Sequence, residues 1–198
     1  MPAARAALPL ALFSVAALAG CGTPCMRPAD PGEVLEAPPE GKALLNVHRP
    51  SGFAGGVWYS VFDGTTLAGV NKGGQRFQYV CDPGKHVLIG RSGAGGAISV
   101  VRADVEADRI YDLVVDVAYD FWTGWAPRTL VPITRSEERR SEVPTWEASE
   151  QVLVVDTTQK VAAWEDSWRA ENERAVKDFD GGSKKDRLLY LTAPDARD

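Results

Sequence analysis

A series of short alternating segments between residues 42 and 134 constrains the fold more than any other feature of the sequence. In Ala43–Arg49, for example, Leu45 and Val47 fall on one face of an extended strand, and Asn46 and His48 fall on the other. Turn sequences such as Asp63-Gly64 separate the segments. Seven or eight short strands with this spacing predict a mainly β fold, an immunoglobulin-like or prealbumin-like β-sandwich. The strands do not alternate with helices, which argues against a parallel nucleotide-binding sheet.

Residues 135–198 predict a charged linker followed by an appended C-terminal amphipathic α-helix. Asp156, with Gln159 three residues later, is typical of a helix N-terminus, and Gly181-Gly182 is typical of a helix end. The apolar residues between these signals form one stripe at helical spacing: Val161, Trp164, Trp168, Ala175, Val176 and Phe179. Because such a stripe must be covered, we expect the helix to pack on the sandwich or on a partner. Glu147–Val155 fits either a helix or a strand, and Leu188–Leu191 fits a short final strand.

The first 20 residues form a separate unit. Ala6–Ala19 is an apolar run of about 14 residues, the length of a signal-peptide core and too short for a membrane span. It ends in Leu18-Ala19-Gly20-Cys21, which resembles the lipobox of bacterial lipoproteins. The resemblance implies that residues 1–20 are removed and that Cys21 is lipidated with palmitate-like chains. The alternative is an ordinary secretory signal followed by a coincidental cysteine.

Residues 21–41 are expected to be the lipidated cysteine and a proline-rich tether. The prolines of this segment are Pro24, Pro28, Pro31, Pro38 and Pro39. A segment of this composition buries too little apolar surface to order itself, and proline keeps it extended. Gly22 follows Cys21 where an aspartate would mark retention in the inner membrane, so the resemblance to lipoproteins favours the outer membrane.

The charge balance limits the partners of the chain. The formal net charge is −5, and loss of Arg5 with the signal peptide makes it −6. This charge argues against binding to nucleic acid. The expected partners are the lipid bilayer, reached through acylated Cys21, and an envelope protein or glycan.

Residues 42–132 resemble an uncharacterised family of small bacterial lipoproteins, a domain of unknown function, in the order of several short motifs. These motifs are Arg49-Pro50, Phe62-Asp63-Gly64, Asp82-Pro83-Gly84-Lys85-His86 and Ile110-Tyr111-Asp112-Leu113. The Pro-Gly-x-His turn is also similar to that of PEGA-like surface domains, which are small β-sandwiches. The resemblance implies an architecture and a location, and no catalytic activity.

Cysteine and histidine residues give two further expectations. Cys25 and Cys81 are candidates for a disulfide in an oxidising envelope, although Cys81 also fits a buried apolar position beside Phe77 and Tyr79. A metal site needs at least three ligands, and the spacing of His48, His86 and Cys81 does not require them to converge. We therefore expect no metal and no cofactor, and we expect His86 to bond the backbone of its turn.

No catalytic frame is evident in the sequence. Gly90–Gly96 lacks the lysine of a phosphate-binding loop and the spacing of a nucleophile elbow, so it predicts a flexible strand connection. Paired carboxylates for hydrolysis are available among 27 acidic residues, but none occupies a recognisable frame. An envelope hydrolase is the third and weakest functional hypothesis.

Residues 119–125 are the most unusual segment, because four of the seven residues are aromatic. Phe121, Trp122 and Trp125 are candidates for stacking on a glycan or peptidoglycan fragment. Exposed aromatic residues on a loop can also bind a partner groove or a lipid interface. The favoured interpretation is structural: the segment closes one end of the sandwich or supports the helix that carries Trp164 and Trp168. The leading functional hypothesis is a non-enzymatic, membrane-anchored envelope lipoprotein with a binding or assembly role, and the glycan-binding module is the alternative.

Overall fold

Strands form where the alternating pattern predicts them, and three more form outside it. The computed structural model describes residues 22–94, 97–121 and 124–197. The strands are β1 Met26–Pro28, β2 Ala43–Arg49, β3 Tyr59–Asp63, β4 Thr66–Asn71, β5 Gln75–Cys81, β6 Gly84–Ser92, β7 Ile98–Val105, β8 Ile110–Asp120, β9 Gly124–Pro132, β10 Gln151–Val155 and β11 Leu189–Leu191. The two α-helices are α1 Val143–Ser149 and α2 Val161–Asp180. Three-residue or five-residue 3₁₀ turns connect several of these elements.

The protein is mainly β, with two sheets that pack face to face. The six-stranded sheet has the order β1-β10-β5-β2-β8-β9, and the five-stranded sheet has the order β11-β7-β6-β3-β4. Most neighbours are antiparallel, but β2 runs parallel to β8, β10 to β5, and β11 to β7. The inner faces carry the apolar half of each alternating strand, including Leu45, Val47, Phe77, Val61 and Val101, all buried.

The prediction of seven or eight strands is wrong, because the described residues contain eleven. Eight of them, β2 to β9, match the predicted segments. The others come from the expected tether and from residues 135–198, so these segments add edges to both sheets and do not form separate units. The short strand β1 gains its order from the neighbour that pairs with it, which local alternation does not reveal. The strand β11 confirms the short final strand predicted at Leu188–Leu191.

The tether prediction fails for the residues nearest the domain. Met26–Pro28 pair antiparallel with Leu153–Val155, and Cys25 and Met26 are buried. The backbone N–H of Leu35 donates to Gln78 and the Gln78 amide donates back to Leu35 O, both at 2.8 Å. Proline removes backbone donors, but an edge strand needs few of them, so β1 tolerates Pro28.

A helix covers the outer face of each sheet. The helix α2 packs across β4, β6 and β7 with the stripe predicted for it, and it ends before Gly181 as expected. The predicted start is wrong, since α2 begins at Val161 and Asp156 instead caps a turn by accepting from Thr158 N and the Gln159 amide. Gln159 does not take part in a helix cap, because its Oε1 accepts the backbone N–H of Cys25 at 2.9 Å.

Residues 143–155 form both a helix and a strand, the two alternatives predicted for Glu147–Val155. The short helix α1 lies on the outer face of the six-stranded sheet, and the chain then turns directly into β10. Val143 and Trp146 of α1 pack with Val114 and Ile133 as a small second core. The polar residues Asn46 and His48, on the outward face of β2, are consequently sealed beneath this layer.

Candidate functional site

An exposed group of aromatic rings, which we term the aromatic end, lies at the tip of the β8–β9 hairpin. It consists of Phe53, Tyr119, Phe121 and Trp125, whose exposed fractions range from 48% for Trp125 to 80% for Phe121. The ring of Phe53 stacks on Trp125 with centroids 4.8 Å apart, and Tyr119 meets Trp125 edge-on at 5.8 Å. Trp122, the other predicted ligand-binding residue, lies outside the described residues. A contiguous exposed aromatic surface is typical of an interaction site.

The structural interpretation of residues 119–125 is wrong. Trp164 and Trp168 of α2 pack on Trp58, with centroids 5.3 Å and 6.4 Å away, and not on the aromatic hairpin. Phe121 is 80% exposed and Trp125 is 48% exposed, so these rings do not close the end of the sandwich. The sequence could not identify Trp58 as the residue that supports α2. The alternating pattern places the Trp58 side chain on the outer face of its strand but does not show what covers it.

The chain next to the predicted lipidation site is held on the domain. Cys21 itself lies outside the described residues. Gly22 is exposed, and its carbonyl accepts from the Lys72 ammonium at 3.1 Å. Thr23 Oγ1 donates to Gln75 Oε1 at 3.0 Å. The described chain therefore begins against the turn between β4 and β5.

A buried ionic cluster lies on the outer face of the six-stranded sheet, and it comprises His48, Asp112, Glu147, Glu150 and Arg197. The His48 ring is completely buried, with Nε2 3.2 Å from Asp112 Oδ1 and Nδ1 2.8 Å from Glu150 Oε2. Arg197 donates to both carboxylate oxygens of Asp112 and to both of Glu147. Glu150 also accepts the backbone N–H of residue 49 at 2.7 Å. The cluster thus joins β2, β8, the α1–β10 junction and the C-terminal segment.

Opposite charges within the cluster set its ionisation. Burial would lower the pKa of His48, but hydrogen bonds with Asp112 and Glu150 outweigh it, so the pKa is raised above 6.5. Burial would raise the pKa of Asp112, but His48 and Arg197 hold that pKa at about 2. Both shifts favour the charged forms, which makes the cluster a set of buried ion pairs.

The unfolding free energy should decrease on both sides of a window set by these two groups. The raised pKa of His48 gives a stabilisation that is complete below pH 6.5 and is lost as pH rises through the folded-state pKa. The lowered pKa of Asp112 gives a stabilisation that is present above pH 3.8 and is lost as pH falls toward 2. Urea unfolding of the protein across roughly pH 2 to 9, with about one measurement per pH unit, tests both limbs.

A matched variant separates the two histidines in this measurement. His86→Gln should keep the part of the alkaline loss that comes from His48. It should lose the part that comes from His86, because burial lowers the pKa of His86 but Asp63 and Asp82 outweigh burial and raise it. A flat profile above pH 6.5, or one that rises, would contradict the ion-pair assignment of His48.

The motif residues of the family resemblance have structural roles. His86 Nδ1 lies 2.6 Å from Asp63 Oδ2, and its Nε2 lies 2.8 Å from Asp82 O, which confirms the expected bond to its own turn. Arg49 is fully buried and donates to the carbonyls of Ala54 and Val57. The guanidinium of Arg49 therefore orders the loop that presents Phe53.

Cys25 and Cys81, the two cysteines in the described part of the chain, are free thiols, so the predicted disulfide between them is absent. The strand β10 lies between β1, which follows Cys25, and β5, which ends at Cys81. Two strand spacings are about 9.5 Å, and a disulfide requires Cα atoms within about 7 Å. The alternative for Cys81, a buried position on the inner face with Phe77 and Tyr79, is confirmed. Burial is the main cause that raises the pKa of both thiols, for Cys81 to about 12, so neither is a reactive thiolate.

The glycine-rich segment belongs mainly to the sheet. Gly90, Arg91 and Ser92 complete β6, and a Cβ at Gly93 would meet the Trp58 ring at 2.5 Å. Gly95 and Gly96 lie outside the described residues. Arg91 donates to Asn172 of α2 at 3.0 Å and stacks over Trp168 at 4.5 Å. This arginine therefore attaches the helix to the sheet and is not available to a phosphate.

Sequence reasoning missed Phe53 in the aromatic end and most of the ionic cluster. His48 and Asp112 are polar residues on the outer faces of strands. Polar residues at such positions are ordinary in a sheet with one solvated face, so they give no signal of a buried cluster. Glu150 and Arg197 carry no local signal at all. Among the described residues, no group of histidine, cysteine and acidic side chains is arranged to hold a metal ion. A cleft of about 210 Å³ borders Asp112 and Arg197, which is small for a ligand site.

Comparisons with known proteins add no assignment. No protein-family model, curated protein or solved structure matches the chain. None of the helices in the described part of the chain combines the length and the apolar character needed to cross a bilayer.

Proposed function

We propose that the protein is a non-enzymatic lipoprotein of the bacterial cell envelope, anchored by acyl chains on Cys21 and used in binding or assembly. The observation that carries the proposal is the lipobox-like Leu18-Ala19-Gly20-Cys21 at the end of an apolar leader. Its structural support is that Gly22, the first described residue, is exposed. Two or three acyl chains, at about 0.8 kcal/mol per buried methylene, give stable membrane attachment.

The proposal extends to fold class and location. Two packed sheets with short connections support an immunoglobulin-like or prealbumin-like sandwich, and the resemblance to small lipoproteins with PEGA-like turns supports the same class. Glycine at position 22 supports the outer membrane over the inner membrane. The sealed His48 and the protonated thiols support a role without catalysis.

Metabolic labelling with a palmitate analogue tests the anchor directly. The wild-type chain should take up label and be shortened by the leader, and Cys21→Ala should lose both the label and the processing. Cys25→Ala is the matched control, since Cys25 is buried against β10 and should not be acylated. An unlabelled wild type, or equal label on Cys21→Ala, would end the proposal.

A glycan-binding module is the second candidate, and the exposure of the aromatic end is the observation that favours it. Phe121 and Trp125 present ring faces to solvent, and a stacked neighbour stiffens Trp125. Rings of this kind bind apolar faces of sugars. This candidate requires that the aromatic end faces an aqueous space that contains cell-wall polymer.

A further inference from the structure

The predicted anchor and the aromatic end lie at the same end of the sandwich. Gly22 contacts Lys72 in the turn between β4 and β5. The next residue of this turn, Gly73, donates its N–H to Gly55 O at 3.3 Å, so the turn packs on the loop between β2 and β3. That loop carries Phe53, which stacks on Trp125. A continuous series of contacts therefore leads from the position next to Cys21 to the exposed rings.

The distances along this end are short. Cys21 is one residue from Gly22, a step of about 3.8 Å between Cα atoms. The strands β5, β2, β8 and β9 are successive neighbours, so three spacings, roughly 15 Å, separate Gln75 sideways from β9, and Tyr119 lies about 13 Å further along β8. Because the chain after Gly22 is bonded to the domain, acyl chains on Cys21 would enter a bilayer directly beside this end.

The exposed side chains at this end have the chemistry of the membrane interface. Tryptophan and tyrosine concentrate at the headgroup level, where an apolar ring and a polar atom are both accommodated. Phe53 and Phe121, both more than half exposed, add apolar surface that water disfavours. A glycan site needs open space around these rings, whereas an anchor one residue before Gly22 brings lipid to them.

We propose that the aromatic end is a lipid-facing surface, which docks the domain on the bilayer interface beside the acylated cysteine. The proposal rests on the proposed function for the location of the bilayer. Its occupant is the interfacial layer of phospholipid, contacted by Phe53, Tyr119, Phe121 and Trp125. The domain then sits directly on the membrane and does not extend from it on a 20-residue tether, and its opposite end, with the turns at Asp63-Gly64 and Asp82–Gly84, faces away.

Quenching of tryptophan by brominated phospholipid tests the contact. The full chain, processed in the envelope and purified, is reconstituted into vesicles of phosphatidylethanolamine and phosphatidylglycerol brominated near the headgroup. Trp125 is 48% exposed at the aromatic end, so part of the emission should be accessible to the bromines. Trp122→Phe together with Trp125→Phe should remove most of this quenching, since the other four tryptophans lie at or near the domain core.

A second pair of variants separates docking from mere proximity. Phe53→Ser together with Phe121→Ser should reduce the quenching of Trp125, because the surface that holds the hairpin in the lipid is lost. Tyr190→Ser is the matched control: Tyr190 is 61% exposed but lies on β11, away from the aromatic end. Circular dichroism of each variant confirms that the exposed substitutions leave the fold intact.

The outcomes distinguish this inference from the proposed function. Mass spectrometry of the same material shows whether Cys21 is acylated. Acylated protein with equal quenching in wild type and in the tryptophan variants overturns the docking surface and leaves the lipoprotein assignment intact. Unacylated protein overturns the lipoprotein assignment, and quenching of vesicle-sedimented protein then decides the docking surface alone. A change in Trp125 emission with soluble peptidoglycan fragments, without quenching by lipid, overturns the docking surface in favour of the glycan module.

Discussion

Replacing Asp112 with alanine is expected to lower the free energy of unfolding by about 3 to 5 kcal/mol, the cost of leaving a buried charge without its partner. Asp112 is nearly inaccessible and accepts hydrogen bonds from His48, Asn46 and Arg197. Without it, the His48 imidazolium keeps a single carboxylate, and the Arg197 guanidinium keeps only Glu147. Buried His48 is then more stable in its neutral form than in its charged form. The unfolding free energy of the variant should therefore no longer show the decrease that comes from His48 as pH rises above 6.5.

Asp116→Ala is the matched control for this prediction. Asp116 lies four residues further along β8 on the same face and is paired with Arg139 at 2.5 Å, but it is 42% exposed. An exposed pair contributes about 0 to 1 kcal/mol, so the control should unfold close to the wild type. Urea titrations followed by tryptophan emission give both values. A loss below about 1 kcal/mol for Asp112→Ala would mean that water reaches the cluster and that the ion pairs are not desolvated.

The central strands and turns could be predicted from the sequence because their information is local. Alternation in β2 correctly places Leu45 and Val47 inside and His48 outside. Gly64 and Gly84 take the positive φ angles, +58° and +124°, that their turns require. The stripe of α2 is equally local, and the helix packs with it as expected.

The strand nearest the N-terminus could not be predicted because its order comes from a distant partner, whereas the short final strand was predicted at Leu188–Leu191. Met26–Pro28 is ordered by β10, which lies more than a hundred residues later, and a proline-rich composition conceals it. The same reason hides the ionic cluster: no spacing rule joins residues 48, 112, 150 and 197. Sequence reasoning located the aromatic hairpin but not the exposure of its rings, because Trp58 takes the place beneath α2.

Phe179→Ala is expected to cost about 3 to 5 kcal/mol of unfolding free energy, and to do so in a single transition. Phe179 is fully buried with Ala175 in the main core. Beneath α2, the outer face of the five-stranded sheet carries a cross-strand row of Phe62, Ile89 and Val100, each with no exposed surface. If residues 135–198 were an appendage, the helix could detach and leave a stable sandwich. A sheet that exposes this row cannot remain soluble and stable alone, so helix and sheets should unfold together.

Two probes decide whether the helix and the sheets form one cooperative unit. Amide signals of α2 in nuclear magnetic resonance spectra follow the helix, and amide signals of β2 and β8, which are neighbours within the six-stranded sheet, follow the sheets. The two urea transitions should coincide in the wild type and shift together in Phe179→Ala. Tyr190→Ala, an exposed aromatic truncation in the same C-terminal region, should change stability by less than about 0.5 kcal/mol. A loss of the helix signal at lower urea than the sheet transition would contradict the prediction. It would show that the row of Phe62, Ile89 and Val100 tolerates water, that α2 can detach, and that the domain boundary at residue 134 is real.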